Sequence, residues 1–206
     1  MRKSLLILIA IAALLGFTIQ SATAAPPTPP SLTQARAQLA ALTVATPHSM
    51  DGYSRDKFPH WITESDGCTS REEVLKRDGT GVKVDSDCYP TAGSWHIAYD
   101  GTTVTVPSKV QIDHLVPLAD AWRSGADTWT TAKRQDFAND LTDPQLIASS
   151  VQQNESKGDD DPSLWKPALQ SYWCLYSRDW IDDKTVWNLT ITSDEKTALS
   201  SMLDTC

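Results

Sequence analysis

Gln111-Ile112-Asp113-His114-Leu115-Val116-Pro117-Leu118 reads as a strand over 110–116 that carries an adjacent Asp-His pair. Neighbouring residues on a strand face opposite ways. Asp113 and His114 therefore share a site only where the strand bends or ends, and Pro117 just downstream is consistent with that. A brief apolar stretch over 144–150 follows, and from Gln152 the pattern is helical until Gly158. That helix holds Asn154-Glu155-Ser156-Lys157-Gly158-Asp159, with Asn154 forty residues after His114. Lys157 lies three residues beyond Asn154, on the same side of a helix. The order is strand, strand, helix, with an acid, an imidazole, an amide and an amine at its junctions.

Outward from this segment, 79–110 reads as β. Val82-Lys83-Val84 and Trp95 to Tyr99 are strands, Asp100-Gly101 a turn, and Thr102 to Val106 the return arm of a hairpin. Ser31 and Gln34 form a capping box for a helix reaching Val44. Further helices are predicted over 70–77, over 118–123 with Gly125 beyond its end, and from Asp127 to about Ala138. Apolar residues at 168, 169, 172, 173, 176 and 180 mark one face of a helix over 167–180. A second box, Thr192 to Glu195, opens a terminal helix. His48 to Asp66 is irregular and aromatic. The class is α+β, one compact domain over 31–206, and no repeat or heptad recurs.

The chain has 206 residues, 40% apolar and 21% charged, which excludes a disordered protein. Arg2 and Lys3, an apolar run from Leu5 to Gly16, and Ala22-Thr23-Ala24 read as a secretory signal over 1–24. Residues 25–30 form a Pro-rich linker. Lys plus Arg is 18 and Asp plus Glu is 26, a net charge of −8. Loss of Arg2 and Lys3 leaves 16 against 26, or −10. Secretion places Cys68, Cys88, Cys174 and Cys206 in an oxidising medium, where four cysteines form two disulfides. Of three connectivities, Cys68–Cys88 with Cys174–Cys206 joins neighbouring segments. The mature chain is expected to be extracellular, monomeric and free of membrane.

The order DHxxPL then LIASSxxxNxxKGD resembles the HNH, or ββα-metal, nucleases. Tyr53 to Phe58, Trp61, Gly67-Cys68, Arg71 to Leu75, Trp95 to Gly101, Ala121 to Ala126, Phe137 to Asp140 and Trp165-Lys166-Pro167 extend the resemblance. They look like secreted HNH endonucleases related to the C-terminal nuclease domain of modification-dependent restriction enzymes. The resemblance implies a ββα-metal core over about 109–160, surrounded by helices. It implies a nuclease with little sequence specificity, acting on DNA, or RNA, and leaving 5′-phosphate ends.

Within that resemblance, Asp113 and Asn154 offer hard oxygen ligands to a divalent ion, Mg²⁺ first and Mn²⁺ or Ca²⁺ next. His114 takes the proton of the attacking water. Lys157 contacts a phosphate, and Arg71 either grips a phosphate or pairs with Glu72, Glu73 or Asp66. The residue bracing the loop of the base is Gln145, nine before Asn154, or Asn139. His60 and His96, each beside a Trp, read as packed histidines. Asp159-Asp160-Asp161 reads as a solvated turn. A charge of −10 opposes tight DNA binding, unless Arg71, Lys109, Lys133, Arg134 and Lys157 gather into a basic patch. The competing reading is a secreted binding module on an inactive HNH scaffold.

Overall fold

A computed structural model describes residues 26–206; the signal read over 1–24 lies outside the described residues. Three helices form one layer: α1 (Leu32–Ala41), α6 (Trp173–Val186) and α7 (Ser193–Leu203). Side chains close the N-termini of α1 and α7. Ser31 and Thr192 each accept from the backbone amide three residues on, and Gln34 and Glu195 return the bond. The helix α2 (Ser70–Asp78) has the same box between Thr69 and Glu72.

A three-stranded antiparallel meander follows α2: β1 (Gly79–Val84), β2 (Pro90–His96) and β3 (Thr103–Val104). Then come β4 (Val110–His114), α3 (Leu118–Arg123), α4 (Thr131–Ala138), β5 (Leu146–Ser150) and α5 (Val151–Lys157). The strands β4 and β5 pair antiparallel, with Asp113 opposite Ile147 and His114 opposite Leu146. Ser150 caps α5 directly at the end of β5, so β4, β5 and α5 form a ββα unit. Residue 158 needs a positive φ of 52° to leave α5, which suits its glycine. Trp95, Trp180, Tyr99, Tyr176, Phe58 and Phe137 are fully buried around this unit.

Both disulfides form as read, Cys68–Cys88 and Cys174–Cys206. Some boundaries move. The first helix stops at Ala41, because Val44 is taken up in a parallel bridge to Ile191. The helix expected from Asp127 is a single turn over 126–128, with α4 restarting behind a Thr130 cap. The helix read over 167–180 starts at Trp173 and runs to Val186. The return arm of the hairpin pairs only at Thr103 and Val104.

Asp179 of α6 is 8% exposed, and its Oδ1 has no hydrogen-bond partner. Burial raises its carboxyl from 3.8 to about 7. The protonated form is therefore favoured by folding, and this group's contribution is complete below pH 4 and lost as pH rises towards 7. Asp179→Asn should be more stable than the parent at pH 8 by about 3 kcal/mol and nearly equal to it at pH 4. Urea melts at the two pH values check this; an equal effect at both would refute it.

Candidate active site

Strand β4 ends at His114, and the chain turns away as Leu115 donates to the Gln145 carbonyl at 2.7 Å. That ending brings both Asp113 and His114 to the wall of one cavity of about 150 Å³. Asn154 and Asp159 from α5 and its exit, and Arg55 from an upstream turn, complete the polar wall.

His114 is 4% exposed. Its Nε2 lies 3.0 Å from the Ala138 carbonyl, which can only accept, so Nε2 carries the proton and Nδ1 the lone pair. Burial lowers the imidazole from 6.5 to about 3 and keeps it neutral. The indole of Trp61 stacks on the ring at 5.3 Å and 25°. Trp61 holds φ at 60°, unusual for a bulky residue. Asn139 maintains that bend from both sides, donating to the Pro59 carbonyl at 2.8 Å and accepting from the Ile62 amide at 3.1 Å. Asn139 thus holds the residue that covers the imidazole.

Gln145 acts on the loop after the base. Its side-chain amide donates to the Val116 carbonyl at 2.9 Å and accepts from the Val116 amide at 3.0 Å. With the Leu115 bond, three hydrogen bonds anchor the turn that begins at His114.

Asp113 is 5% exposed. Its Oδ2 accepts from the Tyr99 hydroxyl at 2.7 Å. The Lys157 ammonium bonds Oδ1 at 3.0 Å and pairs with Oδ2 at 2.9 Å. Burial pushes the Asp113 carboxyl upward, and the ammonium and phenol pull it back. Lys157 is 1% exposed and also donates to the His114 carbonyl at 2.9 Å. This corrects the reading of Lys157 as a phosphate contact. Its helix face turns inward, and its charge is spent on Asp113.

Arg71 also stands elsewhere. It donates to the Val110 carbonyl at 3.2 Å and pairs with Glu72 at 3.6 Å. Val110 is the far end of β4, roughly 13 Å of strand from His114. The basic patch does not assemble either. Arg134 is 8% exposed and donates to the carbonyls of Lys57, Ala126 and Trp129. His96 lies on β2, away from the cavity, whereas His60 sits 5.8 Å from the His114 ring. Arg55, Trp61 and Asp159 reach the site from segments that carry the family resemblance but were given no role in it. The adjacent aromatic at Trp61 and the acid after Gly158 were the available signals.

Asn154 donates through Nδ2 to Gln111 Oε1 at 2.6 Å. Among the described residues its Oδ1 takes no hydrogen bond, and Asn154 lines the same cavity as Asp113 and Asp159. These are hard oxygen donors of the kind a Mg²⁺ or Ca²⁺ ion takes, and an ion there would share the Asp113 oxygens with Lys157 and Tyr99. A second acidic group, Asp120, Asp161 and Glu195, already surrounds a cation. The Lys184 ammonium pairs with Asp120 at 2.7 Å and Glu195 at 2.9 Å.

The family model described as GmrSD restriction endonucleases, C-terminal domain, matches residues 70–202. The chain belongs to this family. The GmrSD C-terminal domain is of the HNH nuclease type, and the ββα unit with Asp113, His114 and Asn154 lies inside the matched span. An uncharacterized secreted protein of Arthroderma benhamiae (strain ATCC MYA-4681 / CBS 112371) is 55% identical over 199 residues, covering 95% of this chain and 98% of its own length. No solved structure matches the chain. This GmrSD-family protein is secreted, and its two disulfides fit that location. No described helix is long and apolar enough to cross a membrane.

Proposed function

We propose that this secreted protein is a metal-dependent endonuclease that hydrolyses phosphodiester bonds, DNA foremost, with little sequence specificity. One observation carries the reading: a neutral imidazole with an assigned lone pair shares a cavity with Asp113 and Asn154. His114 Nδ1 accepts a proton from the attacking water, and the Ala138 carbonyl steadies the cation that forms. Gln145 and Asn139 hold the imidazole in place. Asp113 and Asn154 would hold the divalent ion, Mg²⁺ first and Mn²⁺ or Ca²⁺ next. Such an ion supplies positive charge to the phosphate and to the departing 3′ oxygen. The products are 5′-phosphate and 3′-hydroxyl ends, and the mature chain over 25–206 works as a monomer.

The test is plasmid cleavage by the oxidised mature protein with Mg²⁺ or Mn²⁺, with and without EDTA. Metal-dependent nicking supports the reading. Inertness on both DNA and RNA across these metals at low salt overturns it in favour of a binding module. Chelation should abolish cleavage yet shift the unfolding temperature by less than about 2 °C, because Lys157 already balances the Asp113 charge. Unfolding on addition of EDTA would show instead that the ion is structural.

A further inference from the structure

We infer that Arg55 grips the substrate phosphate at this cavity, and that His60 sets the plane of its guanidinium. The inference rests on the nuclease reading above for what the substrate is, but its geometry is independent of it. The family match begins at residue 70, so neither residue lies in the matched span.

A phosphate entering beside Asp113, Asn154 and Asp159 meets acceptors and needs a cation. The neighbouring cations are committed elsewhere. Lys157 is buried against Asp113 and the His114 carbonyl. Arg123 holds the Asp159 carbonyl at 2.7 Å and lies 3.5 Å from Asp120. Arg134 and Arg71 bind backbone carbonyls away from the wall. Arg55 lines the cavity and is exposed to solvent. Among the described residues, its Nη1 and Nη2 make no hydrogen bond or ion pair.

Its Nε is engaged, and the partner explains the aim. His60 Nδ1 lies 2.6 Å from the Phe58 carbonyl, so Nδ1 carries the proton and Nε2 is the acceptor. Arg55 Nε donates to that Nε2 at 3.2 Å. Phe58 is fully buried, so this relay starts from a fixed point in the core. The backbone closes the same turn, with the Phe58 amide donating to the Arg55 carbonyl at 3.0 Å. A guanidinium tied at Nε keeps its two terminal nitrogens as a planar fork, the shape that takes two phosphate oxygens at once. An ammonium here would bring the charge without the fork.

Two measurements test this. In the first, cleavage of a short duplex is followed against salt. Arg55→Ala should lower kcat/KM by about 100-fold and flatten the log–log salt slope by about one. Arg55→Lys should restore the slope but recover less than about tenfold of the rate. His60→Leu should raise KM about tenfold with the parent's salt slope, and His60→Gln, which keeps an acceptor near the Nε2 position, should recover most of that. In the second, anisotropy of the same labelled duplex is read on the His114→Ala protein in EDTA, with and without Arg55→Ala. Cleavage by the Arg55→Ala protein at the parent's rate and slope overturns the inference and leaves the nuclease reading standing. An inert parent whose duplex binding falls with Arg55→Ala sinks the nuclease reading and supports the phosphate grip. Binding unchanged by Arg55→Ala overturns the grip whatever the parent does.

Discussion

His114→Ala is expected to reduce cleavage by about 10²- to 10⁴-fold, the usual worth of a positioned general base. The assay needs a protein shown to be folded at the assay temperature, because removing the ring leaves Trp61 unstacked. The pH profile carries more information than the loss itself. Burial holds the imidazole at about 3, so His114 is unprotonated throughout the neutral and mildly acidic range. The rate should therefore show no break near pH 6.5 from this group. A break there that vanishes in the variant would mean that the ring is solvated during turnover. The same burial has a stability sign. The folded pKa is depressed below its unfolded value, so the contribution is complete above pH 6.5 and is lost as pH falls towards 3. Asp179 acts from the other side, losing its contribution as pH rises towards 7. Between about pH 4 and 6.5 the two contributions run in opposite directions and largely offset one another.

Lys157→Met is expected to destabilise the fold at pH 7.5 by about 3–5 kcal/mol, the range for stripping one partner from a buried ion pair. The mechanism is the uncompensated carboxylate of Asp113, left with only the Tyr99 hydroxyl. The double change Asp113→Asn with Lys157→Met should recover most of the loss, since nothing ionised then remains buried. A thermodynamic cycle from denaturant melts measures this coupling. If the single and double variants melt alike, the pair is not what secures this corner of the fold. Both outcomes are read without substrate, so this test is independent of catalysis.

The ββα unit was legible because its parts are local. A strand that ends at His114, a second at Ser150 and a helix directly behind it follow from apolar runs and a Ser cap. Asp113, His114 and Asn154 were read by type and spacing along that unit and line one cavity, while Gln145 bonds Val116 in the turn beside it. Lys157 was misread because residue type announces a charge but not its partner. Three residues beyond Asn154 does put it on the same side of α5, and that side turns inward. Arg71 follows the second of its two readings, a pair with Glu72, and the strand it touches is the right one but at its other end. Arg55 and Trp61 were invisible as functional residues. They come from an irregular segment whose course depends on Asn139, nearly eighty residues away in sequence, and no local pattern encodes that contact. The charge of −10 opposed tight DNA binding unless a basic patch gathered, and Arg71, Arg134 and Lys157 are each engaged elsewhere.

The residues at the cavity are drawn from Arg55 to Asp159, and the indole over His114 is held by an amide on a different helix. An excised finger over 109–160 would keep Asn139 but would lack both the Trp61 cover and Arg55. The helix α6, which holds no cavity residue, supplies the Tyr176 ring that meets Tyr99, with Trp180 behind it. The proposed activity therefore belongs to the whole cooperative unit. Outside a cell, with no chaperone to restore a lost fold, the working life of each molecule is the waiting time to its first complete unfolding. The two cystine bridges lengthen that interval for enzyme and scaffold alike.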